Sequence, residues 1–178
     1  FERTISIDQH YMFTVVQRVI NKSGKPVTLY PYATLARRGQ PPADRTVGYK
    51  GPLGYVGGEM HEIAYDDVVK RGEVNFPGST GWIGFGEKYW LTSIIPDQTS
   101  GHSFRFAAQP KADKTKIVYQ VDVRGDAVTI VDGKDATSTT NLFVGAKKVS
   151  LLDEYGDKLG VKHFDLAVDF GSLYFLTR

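Results

Sequence analysis

Residues 141–178 read NLFVGAKKVSLLDEYGDKLGVKHFDLAVDFGSLYFLTR, and here the spacing of apolar residues changes from that of strands to that of helices. Four apolar residues recur at intervals of three or four, the spacing of one helix face: Val149, Leu152, Tyr155 and Leu159. A second run repeats this spacing with a wider apolar side: Phe170, Leu173, Tyr174, Phe175, Leu176 and Thr177. The sequence therefore predicts two short α-helices in a C-terminal segment, 149–178.

The residues before this segment are patterned as short strands separated by turns. Tyr11–Ile20 is rich in β-branched and aromatic residues, and Val27–Arg37 alternates between apolar and polar side chains. The turn-forming residues between them, Asn21–Pro26, predict that the two strands form a hairpin. About eleven such strands, without β-α-β alternation, predict an all-β antiparallel sandwich with helix only at its C-terminal end.

A long stretch between two strand-like regions, Gly39–Gly58, is rich in Gly, Pro and Arg and has no apolar period. We predict a surface loop here. Loops of this length are uncommon in compact domains and often carry function, so its length and exposure make it a candidate contact for a partner protein.

The composition is that of one globular domain and does not favour nucleic-acid binding. The chain has 178 residues, of which 41% are hydrophobic and 24% charged, and its net charge is +2. Its basic residues form no stripe, which makes nucleic-acid binding improbable. It contains no cysteine, which excludes disulfides and thiolate metal sites. The chain begins at Phe1 and its last apolar segment is uncovered, so we expect 1–178 to be part of a larger domain.

Side chains that could perform catalysis are scattered along the sequence. The four histidines are far apart and belong to no short metal-ligand motif, and no serine lies in a Gly-x-Ser-x-Gly turn. Carboxylate pairs such as Asp66-Asp67 are adjacent, and adjacent residues of a strand point to opposite faces. We therefore predict no catalytic, metal or cofactor-binding residues.

The two predicted helices of the C-terminal segment have different interpretations. The first, Val149–Leu159, is expected to pack its apolar stripe on a sheet. In the second, Tyr174 and Phe175 beside Arg178 resemble a membrane-interfacial segment, with aromatic rings at headgroup depth and a cation outside. Core packing within a larger domain explains the same pattern, and the spacing alone leaves both alternatives open.

Three separated blocks resemble one known family, the large periplasmic domain of the YidC/Oxa/Alb membrane protein insertases. They are Gly81-Trp-Ile-Gly84 followed by Tyr89-Trp-Leu-Thr-Ser-Ile-Ile-Pro96, then Asn141-Leu-Phe-Val-Gly145, and finally Phe164–Gly171 with Leu173–Leu176. The chain has Ala146 where many members have proline after the second block. The resemblance extends in order over essentially the whole chain.

The resemblance implies a β-super-sandwich similar to galactose-mutarotase-like folds, closed by short C-terminal α-helices. It implies a non-enzymatic domain on the periplasmic side of the bacterial inner membrane. This domain would assist the insertion and folding of nascent inner-membrane proteins, alone or with accessory subunits of the Sec translocon. We predict that protein or membrane interactions involve the C-terminal segment, at Leu152, Tyr155, Leu159, Phe170, Leu173, Tyr174, Phe175 and Leu176.

A carbohydrate-binding or mutarotase-like protein is the alternative. Sugar mutarotases of similar fold use a histidine and a carboxylate for proton transfer at a sheet face. His61 and Glu87 are a conceivable pair for this role, although their spacing does not motivate it. A peptide-binding cleft between sheet and loop is a third possibility, compatible with the insertase interpretation.

Overall fold

A computed structural model describes residues 1–41, 51–109 and 116–168 of the chain. The described residues form thirteen strands, two α-helices and one 3-10 helix. The strands are β1 Glu2–Ile7, β2 Met12–Ile20, β3 Val27–Leu29, β4 Tyr32–Arg38, β5 Gly51–Val56, β6 Glu59–Glu62, β7 Glu73–Ser79, β8 Gly81–Gly86, β9 Trp90–Pro96, β10 His102–Gln109, β11 Val118–Arg124, β12 Val128–Ile130 and β13 Asp135–Ala146. The helices are α1 Tyr65–Arg71, α2 Val149–Leu159 and the 3-10 helix Phe164–Ala167.

The strands form three antiparallel sheets. The largest has seven strands in the order β1-β2-β13-β9-β8-β5-β6, the second has four in the order β4-β11-β10-β7, and the smallest pairs β12 with β3. The prediction of an all-β antiparallel sandwich is confirmed.

The main core lies between the seven-stranded and the four-stranded sheets. Alternate residues of the large sheet, such as Ile83 of β8 and Ile94 of β9, point inward and are at most 2% exposed. They belong to one cluster with Phe104 and Phe106 of β10 and with Tyr119 of β11. Because side chains alternate along a strand, the other face of the large sheet needs a cover of its own.

That second face is covered by α2 and the 3-10 helix. Trp82, Leu91 and Phe143 point to this side and form a second buried cluster with residues of both helices. The domain therefore has three layers: the four-stranded sheet, the seven-stranded sheet and a helical layer. We use "helical layer" for α2 and the 3-10 helix together.

The predicted hairpin of Tyr11–Ile20 with Val27–Arg37 is wrong. β2 pairs with β1 and β13, β3 pairs with β12, and β4 pairs with β11. The turn at 21–26 is real, and the Asn21 side chain donates to the carbonyls of Lys25 and Ile130 at 2.8 Å each. It directs the chain from one sheet to another instead of folding it back.

Two other predictions from local composition are corrected. Part of the expected loop Gly39–Gly58 is the strand β5, whose residues are mostly buried, and residues 42–50 lie outside the described structure. Helix also occurs before the C-terminal segment, because α1 packs Tyr65 and Val68 into the main core. Neither α-helix in the described residues is long and apolar enough to cross a membrane.

Candidate functional site: the helical layer

Helix α2 is anchored on the large sheet by the apolar face that its sequence predicts. Leu152 is 0% exposed and Tyr155 is 3% exposed, and they lie three residues apart on one side of the helix. Leu151 and Leu159 are half-buried against the same cluster. Burying a large apolar side chain stabilises a protein by about 1.5–3 kcal/mol, so these few contacts hold the helix firmly.

The surface beneath the helical layer is aromatic. The ring of Phe164, from the 3-10 helix, meets Trp82 edge-on at a centroid distance of 5.3 Å and Phe143 at 5.8 Å. The ring of Tyr155 meets Phe143 at 5.9 Å. Edge-to-face pairs of this kind add about 0.5–1.5 kcal/mol beyond area burial. Trp82 on β8 and Phe143 on β13 thus fix both helices relative to the sheet.

The chain reverses between the two helices through a left-handed cap. Gly160 follows α2 with φ of 64°, and the Val161 N–H donates to the Gly156 carbonyl at 2.8 Å. His163 is also left-handed, with φ of 54°, and its ring lies 4.8 Å from that of Tyr55. These turns return the chain to the sheet, so that Phe164 and Ala167 are buried.

A hydrogen bond links α2 to the start of the chain. The Tyr155 hydroxyl donates to a carboxylate oxygen of Asp8 at 2.5 Å. Burial by itself would raise the pKa of Asp8, but hydrogen bonds from Tyr155 and from the backbone N–H groups of Met12 and His10 lower it below its ordinary value. Burial and the bond to Asp8 both raise the pKa of Tyr155. This contact bridges 147 positions of sequence.

Replacing Tyr155 with phenylalanine is expected to lower the free energy of unfolding by about 1 kcal/mol at neutral pH, the usual net value of one hydrogen bond. The pKa of Asp8 is lower in the folded than in the unfolded protein. Ionised Asp8 therefore adds to the free energy of unfolding at pH values above its unfolded pKa of about 3.9, and this stabilisation is lost as the pH falls through the folded pKa. Urea unfolding from pH 7 to pH 3 should show the difference between wild type and variant shrinking below about pH 4. Tyr11→Phe is the control, since Tyr11 is exposed. A difference that does not vary with pH would contradict the assignment.

The predicted interaction residues have two outcomes. Leu152, Tyr155 and Leu159 come together on α2, but they contact the sheet. Phe170, Leu173, Tyr174, Phe175 and Leu176 lie outside the described residues, so their role stays a prediction. The sequence does not predict Asp8 as a partner of α2, because nothing local marks a contact between residues so far apart. The aromatic platform of Trp82 and Phe143 is also unpredicted, although both residues lie in stretches rich in strand-forming side chains.

A cleft of about 420 Å³, which we call the polar cleft, lies between β13 of the seven-stranded sheet and β4 and β11 of the four-stranded sheet, and no residue of the helical layer lines it. His102, Asp97, Asp126 and Tyr32 are among the residues that line it. The ring of His102 lies against the Ser100 carbonyl at 3.0 Å, and hydroxyl and backbone donors of Thr99 lower the pKa of Asp97. Both side chains therefore form hydrogen bonds within the segment 97–102, where they stabilise the turn.

The proton-transfer pair of the mutarotase alternative is not assembled. His61 stacks on Phe76 at 4.3 Å, and its Nε2 lies 3.3 Å from the Val56 carbonyl. Glu87 is paired with Arg37 instead. Over 1–41, 51–109 and 116–168, no cluster of three or more His, Asp or Glu side chains could hold a metal ion.

The described residues thus form a β-sandwich whose seven-stranded sheet carries a docked helical layer on an aromatic platform. The family described as the YidC periplasmic domain matches residues 1–178. Relatives named "Membrane protein insertase YidC" from Beijerinckia indica subsp. indica, Methylobacterium radiotolerans and Bradyrhizobium diazoefficiens are 42%, 39% and 37% identical to it. In each case the match covers all of this chain and 30% of the relative. The chain belongs to the YidC periplasmic domain family.

Proposed function

We propose that this chain acts as the non-catalytic periplasmic domain of an insertase in the bacterial inner membrane. It would assist the insertion and folding of nascent membrane proteins, alone or with accessory subunits of the Sec translocon. The observation that carries this proposal is the match of the whole chain to the YidC periplasmic domain, with relatives that are named insertases. The chain spans about 30% of these relatives, so the inserting activity would reside in the complete protein.

Within such a protein, the helical layer would act as a strut. The contacts of Leu152, Tyr155 and Phe164 fix α2 and the 3-10 helix on the large sheet. The chain then continues into Phe170–Leu176, which would lie on the membrane surface with its aromatic rings at headgroup depth; membership in a family of membrane insertase domains favours this interpretation over core packing. A rigid connection of this kind sets the orientation of the sandwich over the bilayer, so that partners on the periplasmic side meet the insertion site in one geometry.

The surface-segment role can be tested in a chimera in which this chain replaces the matching 30% of the Beijerinckia indica relative. Leu173→Glu combined with Phe175→Glu places two charges in the apolar segment, and we expect a loss of membrane-protein insertion in reconstituted vesicles of at least about tenfold. Placing a charged carboxylate in an apolar membrane setting costs more than about 1 kcal/mol. The matched control is Lys22→Glu with Lys25→Glu, at exposed positions outside the helical layer. Full insertion by the Leu173 and Phe175 double variant would refute the surface-segment role.

A further inference from the structure

Two large aromatic side chains project into solvent from the turn between β8 and β9. Tyr89 is 63% exposed and Trp90 is 59% exposed. The ammonium group of Lys88 lies 4.7 Å from the centre of the Tyr89 ring. Isolated exposed aromatics are ordinary, but adjacent exposed Tyr and Trp beside a lysine form an amphipathic surface.

The backbone holds this turn in place and brings the segment that precedes α2 to the same end of the sheet. The Glu87 N–H donates to the Trp90 carbonyl at 2.8 Å, and the Lys147 N–H donates to the Tyr89 carbonyl at 2.9 Å. Trp90 pairs with Ala146 in the sheet, so the next residues of the chain, up to Lys148, lie at the same end. We call Lys88, Tyr89, Trp90 and Lys148 the aromatic–lysine tip.

The position of Lys148 is unfavourable for the helix that it precedes. It occupies the N-cap of α2, where the first turn, Val149–Leu152, contains no acidic residue. Lysine has no acceptor with which to cap the free N–H groups, and its charge opposes the helix dipole. Helix stability therefore does not explain this lysine. Glu87, the acidic residue next to Lys88 in sequence, forms an ion pair with Arg37. Its carboxylate is therefore not directed at the lysines of the tip.

We propose that the aromatic–lysine tip binds the surface of a bilayer that contains anionic phospholipids. Tyr and Trp are favoured at headgroup depth, where the ring is in an apolar setting and the polar atom is wet, and lysines nearby attract anionic phosphates. The charge complementarity favours a lipid surface over an apolar protein groove. This inference rests on membership in a periplasmic domain of membrane insertases, and it is independent of the role of residues 170–176.

The two tryptophans make the contact directly observable. Trp82 is 0% exposed beneath the helical layer, whereas Trp90 is exposed at the tip. Adding vesicles of phosphatidylethanolamine and phosphatidylglycerol to the 178-residue chain should shift the emission to the blue, and brominated acyl chains should quench it. Trp90→Phe should abolish both changes, because Trp82 remains buried. Pure phosphatidylcholine vesicles should produce weaker binding.

Co-sedimentation with the anionic vesicles separates the tip from other surfaces. Tyr89→Ser with Trp90→Ser should weaken partitioning at least about tenfold, and Lys88→Gln and Lys148→Ser should each weaken it about fivefold. Lys148→Ser also supplies an N-cap, so it should raise the melting temperature while it lowers binding, which excludes unfolding as the cause. The matched control is Tyr30→Ser with Arg124→Gln, another exposed tyrosine with a cation 5.3 Å from its ring.

Unchanged partitioning of the tip variants, or an equal loss in the Tyr30 and Arg124 control, would overturn the proposal. Emission changes that persist in Trp90→Phe would do the same. The double variant Leu173→Glu and Phe175→Glu distinguishes this result from the proposed function. If that variant loses insertion while the tip variants bind vesicles normally, the tip proposal fails and the role of residues 170–176 stands.

Discussion

Replacing Leu152 with alanine is expected to lower the free energy of unfolding by about 2–5 kcal/mol, the range for a large apolar side chain deleted from a core. Leu152 is 0% exposed and packs in the cluster that joins the large sheet to the helical layer. The cavity would lie beside Trp82 and Phe143, whose positions are fixed by their strands, so little collapse can fill it. Urea denaturation of the 178-residue chain, followed by far-ultraviolet circular dichroism, measures the change.

The control for this prediction is Glu154→Ala on the exposed side of the same helix, which should change stability by less than about 0.5 kcal/mol. Leu152→Ala should also unfold in one transition, because α2 shares its core with β8, β9 and β13. Early loss of helical signal, with the sheet signal unaffected, would mean that α2 is a detachable appendage and would contradict the three-layer description.

Gly81→Ala is expected to have a comparably large effect, at least about 3 kcal/mol, through backbone strain and a steric clash together. Gly81 has φ of 133°, a conformation that side chains rarely tolerate, and an added Cβ would lie directly against the Tyr55 carbonyl oxygen of the neighbouring strand. That oxygen cannot move without breaking the β5–β8 pairing. Thermal unfolding of the purified variant is the measurement.

The comparison variant is Gly160→Ala, which isolates the cost of positive φ. Gly160 has φ of 64°, and no described atom lies within 4 Å of a Cβ built there. Its loss of stability should be about 1–2 kcal/mol. If Gly81→Ala lowers the stability no more than Gly160→Ala does, the backbone of β5 does not approach Gly81 as closely as described.

The helix α2 shows how much of the fold local sequence determines. Its predicted bounds, Val149–Leu159, are the bounds that the structure has, because four residues on one face encode both the period and the buried side. The strand predicted at Tyr11–Ile20 is β2, Met12–Ile20, which differs from the prediction by one residue. The spacing of apolar residues identifies a helix or strand wherever one face is buried and the other is exposed to solvent.

Pairing between strands could not be obtained in the same way. A turn at Asn21–Pro26 is equally compatible with a hairpin and with a crossing between sheets. Strand β3 pairs instead with β12. The paired residues are far apart in sequence, with 101 positions between Thr28 and Thr129. Strand β5 is buried on both faces and contains Gly and Pro, so neither alternation nor propensity revealed it. Similarly, the bond between Asp8 and Tyr155 depends on the tertiary fold alone.

The polar cleft contains a histidine and carboxylates, and its geometry favours a structural role. His102 and Asp97 are held by hydrogen bonds to the turn that contains them. The helical layer, by contrast, joins a rigid sheet to the segment that is predicted to reach the membrane. Under the proposed function, insertion by the complete protein therefore depends on the helical layer as a strut, and the cleft can be altered without loss of insertion.

One measurement tests this assignment most directly: membrane-protein insertion by the full-length chimera, reconstituted in vesicles at a temperature where every variant is folded. Leu152→Ala should reduce insertion, because it loosens the helical layer, whereas His102→Ala with Asp97→Ala in the polar cleft should leave insertion at the level of the unaltered chimera. The opposite result, normal insertion by Leu152→Ala and loss in the cleft variant, would contradict the account and would place the function in the cleft.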